Sequence, residues 1–259
     1  GYATIIKGDG ALKQGAGPVR TGVTAIVPRP LDQIDQPLFA GFFSLNGNGE
    51  LSGTHYIEET GKMALPITIT NTHSCGIARD ATIRWAVGFL AERYHDDFAL
   101  PVAAETYDGF LNDINGFHVE TRHVIEAIET ARGGAIEEGS VGGGTGMKCF
   151  GFKAGSGTAS RLVGYNGEAF TVGVFVQANF GTRQHLTVLG KNIGADPDLP
   201  QMLTNTKDTE LSSIIAVIAS IALTHWTGVA RIVRAEVLSL RDRPFIDAAV
   251  SGGASRGRV

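Results

Sequence analysis

One stretch organises this chain: Glu138-Gly-Ser-Val-Gly-Gly-Gly-Thr-Gly-Met147. Ser140 stands between one glycine and a triple-glycine run, so the backbone around it can adopt unusual angles and approach a ligand closely. If the Gly139–Ser140 bond were cut, Ser140 would carry a hydroxyl nucleophile and a free α-amine that can act as its general base. The alternative is a flexible glycine loop that joins two elements. The spacing alone leaves both interpretations open.

The length and composition allow one large domain or two small ones, and we expect a single domain over residues 1–259. The chain has 259 residues, of which 43% are hydrophobic, and this is enough for a substantial core. The formal net charge is −4 and no Lys/Arg stripe occurs, so neither nucleic acid nor a membrane surface is an expected partner. The longest apolar run, residues 214–223, is too short to span a bilayer, and its β-branched residues favour a buried strand. For Cys75 and Cys149 we expect two free buried thiols, although one disulfide would also fit.

The first residues, Gly1-Tyr-Ala-Thr-Ile-Ile6, are typical of a strand and include no initiator Met. We therefore expect that a segment normally precedes residue 1, and the sequence leaves the location open between the cytoplasm and the periplasm.

Short apolar segments surround two helical ones. The apolar spacing predicts one helix over residues 80–94, capped by Asp80, and a second over residues 119–131 that ends at Gly133-Gly134. Predicted strands cover residues 22–28, 42–45, 65–71, 100–105, 170–179 and 185–189, the last two as neighbours in one sheet. This order indicates α+β layers rather than a regular βαβ array.

Several common motifs do not fit the glycine stretch. A Walker loop needs lysine directly after its last glycine, but Met147 separates Gly146 from Lys148, and Met147 also stands where a dinucleotide fingerprint needs glycine. Ser140 lacks the Gly-x-Ser-x-Gly elbow of α/β-hydrolases because Glu138 precedes it by two residues. The i,i+5 spacing of His118 and His123 does not favour a metal site, so no metal is expected.

Two polar turns have an ordinary and a functional interpretation. The segment Asn112-Asp-Ile-Asn115 is either a turn whose side chains bond local backbone or a source of an amide donor for an oxyanion. Glu50, at the end of Asn46-Gly-Asn-Gly-Glu50, is either a surface turn residue or a carboxylate that binds a substrate ammonium group.

Together these stretches resemble the DmpA-like family, the group of L-aminopeptidase/D-esterases and β-peptidyl aminopeptidases. The matching segments occur in order over most of residues 1–218. They are Val19–Pro28, Ser44–Glu50, Thr54–Glu59, Ile69–Ser74, Glu105–Gly109, Leu111–Val119, Glu138–Met147, Gly151–Gly155 and Gly173–Gly181.

The resemblance implies a four-layer αββα sandwich similar to that of the N-terminal-nucleophile hydrolases, and cleavage of the chain between Gly139 and Ser140. The products would be chains 1–139 and 140–259, with Ser140 as the nucleophile. Asn112 matches the oxyanion asparagine best, with Asn115 as the rival. Glu50 matches the amine-binding acid, and Tyr56 a wall or oxyanion hydroxyl.

The implied activity is a self-processing serine aminopeptidase or amidase that acts on short peptides, amides or esters with a free amino group. It needs no cofactor, and the resemblance suggests a homo-oligomer. Two alternatives remain: an acyltransferase of the ornithine-acetyltransferase type, and an uncut, inactive binding protein. The chain departs from the family pattern in three ways. By the resemblance it starts within the family's first strand, residues 177–184 contain no Ser-x-Glu pair, and residues 220–259 do not align.

Overall fold

The computed structural model describes residues 1–196. Its α-helices are α1 (Thr54–Thr60), α2 (Cys75–Phe89), α3 (Ala91–Tyr94) and α4 (Thr121–Glu129). Its strands are β1 (Tyr2–Lys7), β2 (Val19–Ile26), β3 (Leu38–Phe39), β4 (Lys62–Met63), β5 (Ile67–Asn71), β6 (Val102–Thr106), β7 (Lys148–Cys149), β8 (Phe152–Lys153), β9 (Ser156–Tyr165), β10 (Glu168–Gln177), β11 (Thr187–Val188) and β12 (Lys191–Asn192). The α+β class predicted from the sequence is confirmed.

A four-stranded sheet forms the frame of the described chain, in the order β1-β2-β5-β6. The first two contacts in this order are antiparallel, whereas β5 and β6 run parallel. Parallel strands need a crossover connection, and α2 lies in that connection. A long antiparallel hairpin, β9–β10, forms a second sheet.

The main core lies between one face of this sheet and the helices α2 and α4. Because side chains alternate along a strand, β1 and β2 direct every second residue towards the helices. These residues are Ala3, Ile5, Val19, Val23 and Ala25, and they pack in one cluster with Ala78, Ala81, Trp85, Val124, Ala127 and Ile128. The opposite face of the two strands is therefore free for another segment.

Three details of the sequence prediction are wrong. Residues 42–45 form no strand. Phe43 is 71% exposed, so this segment does not pack its side chains against the core. Asp80 does not cap α2, which begins at Cys75 after a turn capped by the Asn71 side chain; Asp80 instead pairs with Arg84 on the surface at 2.7 Å. The strand at 185–189 is reduced to β11, which pairs with β12 rather than with β10.

Other predictions have mixed outcomes. Cys75 and Cys149 are both free and buried. The predicted strand over residues 214–223 lies outside the described residues. Within residues 1–196, none of the helices is long and apolar enough to cross a membrane.

Candidate active site

The Gly139–Ser140 bond lies at the edge of the β9–β10 hairpin. Gly139 has a φ of +91°, in the left-handed region that favours glycine. It forms a two-way bridge with Ser156, the first residue of β9: each backbone N–H donates to the other carbonyl at 2.8 Å. The residue just before the serine is thus fixed by sheet-like pairing.

Ser140 occupies the centre of a three-residue turn. The Val141 N–H donates to the Gly139 carbonyl at 3.0 Å, which is the hydrogen bond of a γ-turn around Ser140. Ser140 is half-buried, and its hydroxyl makes no hydrogen bond to any residue in the described part of the chain. An accessible, unbonded hydroxyl beside a fixed carbonyl is a suitable starting geometry for a nucleophile.

The glycines after Ser140 lie on the face of the sheet opposite the helices. Residues Gly142–Gly144 form a 3-10 turn. The Gly142 N–H donates to the Thr4 hydroxyl at 2.8 Å, and the Gly143 N–H donates to the Thr24 hydroxyl at 3.1 Å. Threonines that point away from the helix layer therefore satisfy the backbone of this turn.

Close packing explains why glycine is needed here. A Cβ on Gly143 would lie 2.7 Å from the Ile69 carbonyl oxygen, one on Gly144 2.6 Å from the Ser156 nitrogen, and one on Gly146 2.3 Å from the Arg20 carbonyl oxygen. Real Cβ atoms are essentially never so close to backbone atoms. The segment is therefore a buried, packed element and not an exposed flexible loop.

Gln177, the last residue of β10, links three strands beside this turn. The Thr24 hydroxyl donates to its Oε1 at 3.3 Å, and its Nε2 donates to the Thr106 hydroxyl. The bonds join β2, β6 and β10 and attach the hairpin to the glycine-bearing face of the main sheet.

Asn112 is 1% exposed, and its side-chain amide hydrogen-bonds the backbone of Arg20 and the carboxylate of Asp108. Its Oδ1 accepts from the Arg20 N–H at 2.9 Å, and its Nδ2 donates to Asp108 Oδ1 at 3.0 Å. Asp108 is fully buried, and its Oδ2 accepts no hydrogen bond from a described residue. Desolvation raises the pKa of Asp108 to about 6, against the opposing influence of its polar neighbours.

Lys153 is a second buried ionisable group, and it contacts the glycine segment. Its Nζ donates to the Ala154 carbonyl and, at 3.5 Å, to the Gly144 carbonyl. Desolvation, helped by the charge of Arg20, lowers the pKa of Lys153 to about 7. Two ionisable side chains with shifted pKa values thus lie beside the segment that follows Ser140.

The three predicted substrate-binding residues lie at the surface or near it. Glu50 is exposed, and its backbone N–H donates to Glu105 Oε1 at 3.2 Å. Tyr56 is half-buried in α1, and Asn115 is exposed in a short 3-10 turn. No hydrogen bond within residues 1–196 links any of the three to Ser140, and no His, Cys, Asp and Glu cluster there could hold a metal ion.

Sequence reasoning missed several residues that contact or lie beside the glycine segment around Ser140. Thr4 and Thr24 could have been noticed as polar residues within segments that the sequence predicts to be strands. The sequence gives no comparable indication for Ser156, Gln177 or Lys153. No local pattern predicts which segments the β9–β10 hairpin contacts.

Comparison with known proteins shows the class of protein to which this chain belongs, a family of peptidases. The chain belongs to peptidase family S58, which matches residues 1–252. The beta-peptidyl aminopeptidase BapA of Sphingosinicella microcystinivorans is 51% identical over 197 residues, which are 76% of this chain and 48% of that protein. The chain therefore spans about half the length of the curated relatives it matches.

Two solved structures are similar to the described fold. One is the L-aminopeptidase D-Ala-esterase/amidase from Ochrobactrum anthropi, described as a prototype for the serine aminopeptidases and a new variant among the Ntn hydrolase fold. It has 48% identity and a TM-score of 0.69, over 75% of this chain and 54% of that one. The other is a beta-aminopeptidase from a Burkholderia species, with 44% identity and a TM-score of 0.70, over 77% of this chain and 55% of that one. These neighbours agree with the predicted fold class.

Proposed function

We propose that the protein is a self-processing serine aminopeptidase that releases the N-terminal residue of short peptides, amides or esters. The observation that carries this proposal is the position of Ser140. It follows a left-handed glycine, stands at the centre of a γ-turn, and has a hydroxyl without a hydrogen-bond partner among residues 1–196. The names of the relatives, which include aminopeptidases of β-peptides and of L-residues, support the same activity.

Maturation begins in the uncut chain. Ser140 Oγ attacks the Gly139 carbonyl carbon, the C–N bond breaks, and the chain is held as an ester on Ser140. Water then hydrolyses the ester. Chain 1–139 is released with a C-terminal carboxylate, and chain 140–259 begins with a free α-amine.

Catalysis in the mature enzyme uses the same hydroxyl. The new α-amine takes the proton from Ser140 Oγ as it attacks the substrate carbonyl, and an acyl-enzyme forms that water later hydrolyses. One N–H of the Asn112 amide is bonded to Asp108, so its second N–H is the candidate donor to the substrate oxyanion. Asn115 is the alternative donor, and Tyr56 would contribute a wall of the pocket.

Recognition of a free amino group requires an acid near the substrate. Glu50 is our candidate, since its exposed carboxylate lies on a turn that is attached to Glu105. A carboxylate paired with an ammonium group would limit cleavage to the N-terminal residue. The assembly would be a homo-oligomer, as the resemblance suggests.

The test is the substitution Ser140→Ala. For the variant we expect one uncut chain and no hydrolysis of aminoacyl p-nitroanilides. For the wild type we expect two bands on a denaturing gel, the fragments 1–139 and 140–259. The control is Ser44→Ala, which removes an exposed hydroxyl bonded only to the Asn46 carbonyl and should leave both cleavage and activity intact. A Ser140→Ala protein that is cut and active would refute the proposal.

A further inference from the structure

Two backbone N–H groups donate to the carbonyl oxygen of Gly139. The Ser156 N–H lies 2.8 Å from this oxygen, and the Val141 N–H lies 3.0 Å from it. Two fixed donors on a carbonyl that is about to receive a nucleophile are the arrangement of an oxyanion hole. We propose that the backbone N–H groups of Ser156 and Val141 form the oxyanion hole for self-cleavage, an inference that rests on the proposed function.

Both N–H groups donate to the oxygen on which negative charge would develop during self-cleavage. When Ser140 Oγ bonds to the Gly139 carbon, the C=O π electrons move to the Gly139 oxygen, which becomes the oxyanion. The tetrahedral intermediate collapses as the C–N bond breaks, and the proton from Oγ passes to the departing Ser140 nitrogen. Both N–H groups already point at the oxygen that carries the transient charge, so no reorganisation is needed.

The surrounding contacts keep the Ser156 donor in position. Ser156 is fully buried, and its own carbonyl accepts from the Gly139 N–H at 2.8 Å. The preceding residue, Gly155, is tied to the end of the hairpin because the Ala178 N–H donates to its carbonyl at 3.0 Å. This donor is therefore a backbone group held by the β9–β10 hairpin, and its position does not depend on a side-chain rotamer.

Gly155 is the residue that permits this close approach. A Cβ at this position would lie 2.0 Å from the Gly139 carbonyl oxygen. Any larger residue would thus push the scissile carbonyl away from the Ser156 N–H. We assign Gly155 as a positioning residue for self-cleavage.

The Asn112 amide is engaged elsewhere in the uncut chain. Its Oδ1 holds the Arg20 N–H, and its Nδ2 holds Asp108. The self-cleavage step and the aminopeptidase step therefore use different donors in our assignment, and the two can be separated by mutation.

The decisive experiment replaces the Ser156 amide by an ester, through translation with the α-hydroxy acid analogue of serine. This change removes the N–H and retains the side chain. Cleavage of the freshly made full-length chain is followed with time on a denaturing gel, and circular dichroism compares the folds. We expect cleavage to slow by ~100-fold or more, the usual effect of losing one oxyanion donor.

A second pair of variants tests the positioning role. Gly155→Ala should slow cleavage strongly. Its matched control is Gly164→Ala, inside the adjoining strand β9, where a Cβ meets nothing within 4 Å and cleavage should proceed at the wild-type rate.

The outcomes separate this inference from the proposed function. Slow cleavage of a folded ester variant beside a normally cut wild type supports the inference. Wild-type cleavage rates in both the ester variant and Gly155→Ala would overturn it and leave self-processing intact. A wild-type chain that stays whole would overturn both.

Discussion

Two stretches of this protein are rich in glycine but have different structural roles. Residues 139–146 are packed against the main sheet, and a Cβ on Gly144 or Gly146 would collide with backbone atoms. Residues 46–50 lie at the surface, and a Cβ on Gly47 would meet nothing within 4 Å. Glycine is therefore required by close packing in the first stretch and only favours a turn in the second. The composition alone does not distinguish them.

The largest difference between the two stretches is expected when one methyl group is added to each. Gly144→Ala places a Cβ 2.6 Å from the Ser156 nitrogen, so we expect a loss of about 3 kcal/mol of unfolding free energy and no cleavage at Ser140. Gly47→Ala should change stability by less than about 0.5 kcal/mol and leave cleavage normal. Urea unfolding of each glycine variant in a Ser140→Ala background measures stability. Denaturing gels of the same glycine variants with Ser140 intact measure cleavage. Equal effects at the two positions would contradict the packing argument.

A buried charge beside the packed stretch gives a pH-dependent test. Because the pKa of Asp108 is raised from 3.8 to about 6, the folded state binds more protons than the unfolded state between these values, and its stability falls as the pH rises through them. Asp108→Asn removes this dependence. The variant should match the parent near pH 4 and be more stable by up to roughly 3 kcal/mol above pH 6.

The measurement is urea unfolding at pH 4 and pH 7, again in the uncut Ser140→Ala background. Asp96→Asn is the control, since Asp96 is exposed and should show a far smaller difference between the two pH values. A stability difference for Asp108→Asn that is the same at both pH values would exclude a buried, destabilising carboxylate.

Removal of one hydroxyl group beside each glycine-rich stretch should have a smaller effect on stability than the added methyl group at Gly144. Thr24→Val leaves the buried Gly143 N–H without its acceptor, so we expect a loss of about 2 kcal/mol and slower cleavage. Ser44→Ala removes an exposed hydroxyl beside the other stretch and should cost less than about 0.5 kcal/mol. Thermal unfolding compares the two, and a Thr24→Val protein as stable as the parent would show that another group satisfies Gly143.

The smallest effect on stability is expected at Glu50, where the exposed stretch ends. Glu50→Gln should leave unfolding unchanged but raise the KM for substrates with a free amine by about 10-fold, because an ammonium–carboxylate bond becomes a neutral one. Glu58→Gln, on the exposed face of α1, is the control for loss of one negative charge. An unchanged KM would direct the search for the amine-binding acid to Glu105.

Local patterns predicted the fold where the chain signals its own structure. The apolar alternation before Pro28 predicted β2, and the helical spacing after Val119 predicted α4. The start of α2 was missed because the cap is supplied by Asn71 through an intervening turn. The strand at Phe42–Leu45 was wrong because hydrophobic residues do not form a strand when no neighbouring strand is available to pair with them.

The family, the α+β class and the candidate nucleophile could be predicted from the amino-acid sequence alone, since they depend on contiguous residues whose order carries the information. The folded structure was needed to show which groups contact the residues on either side of Ser140. These are the Ser156 N–H on the Gly139 carbonyl, and the Thr4 and Thr24 hydroxyls on the glycine turn. These contacts join residues from 17 (156 − 139) to 138 positions apart in the chain. Their positions follow from sheet pairing and close packing, which no local pattern encodes.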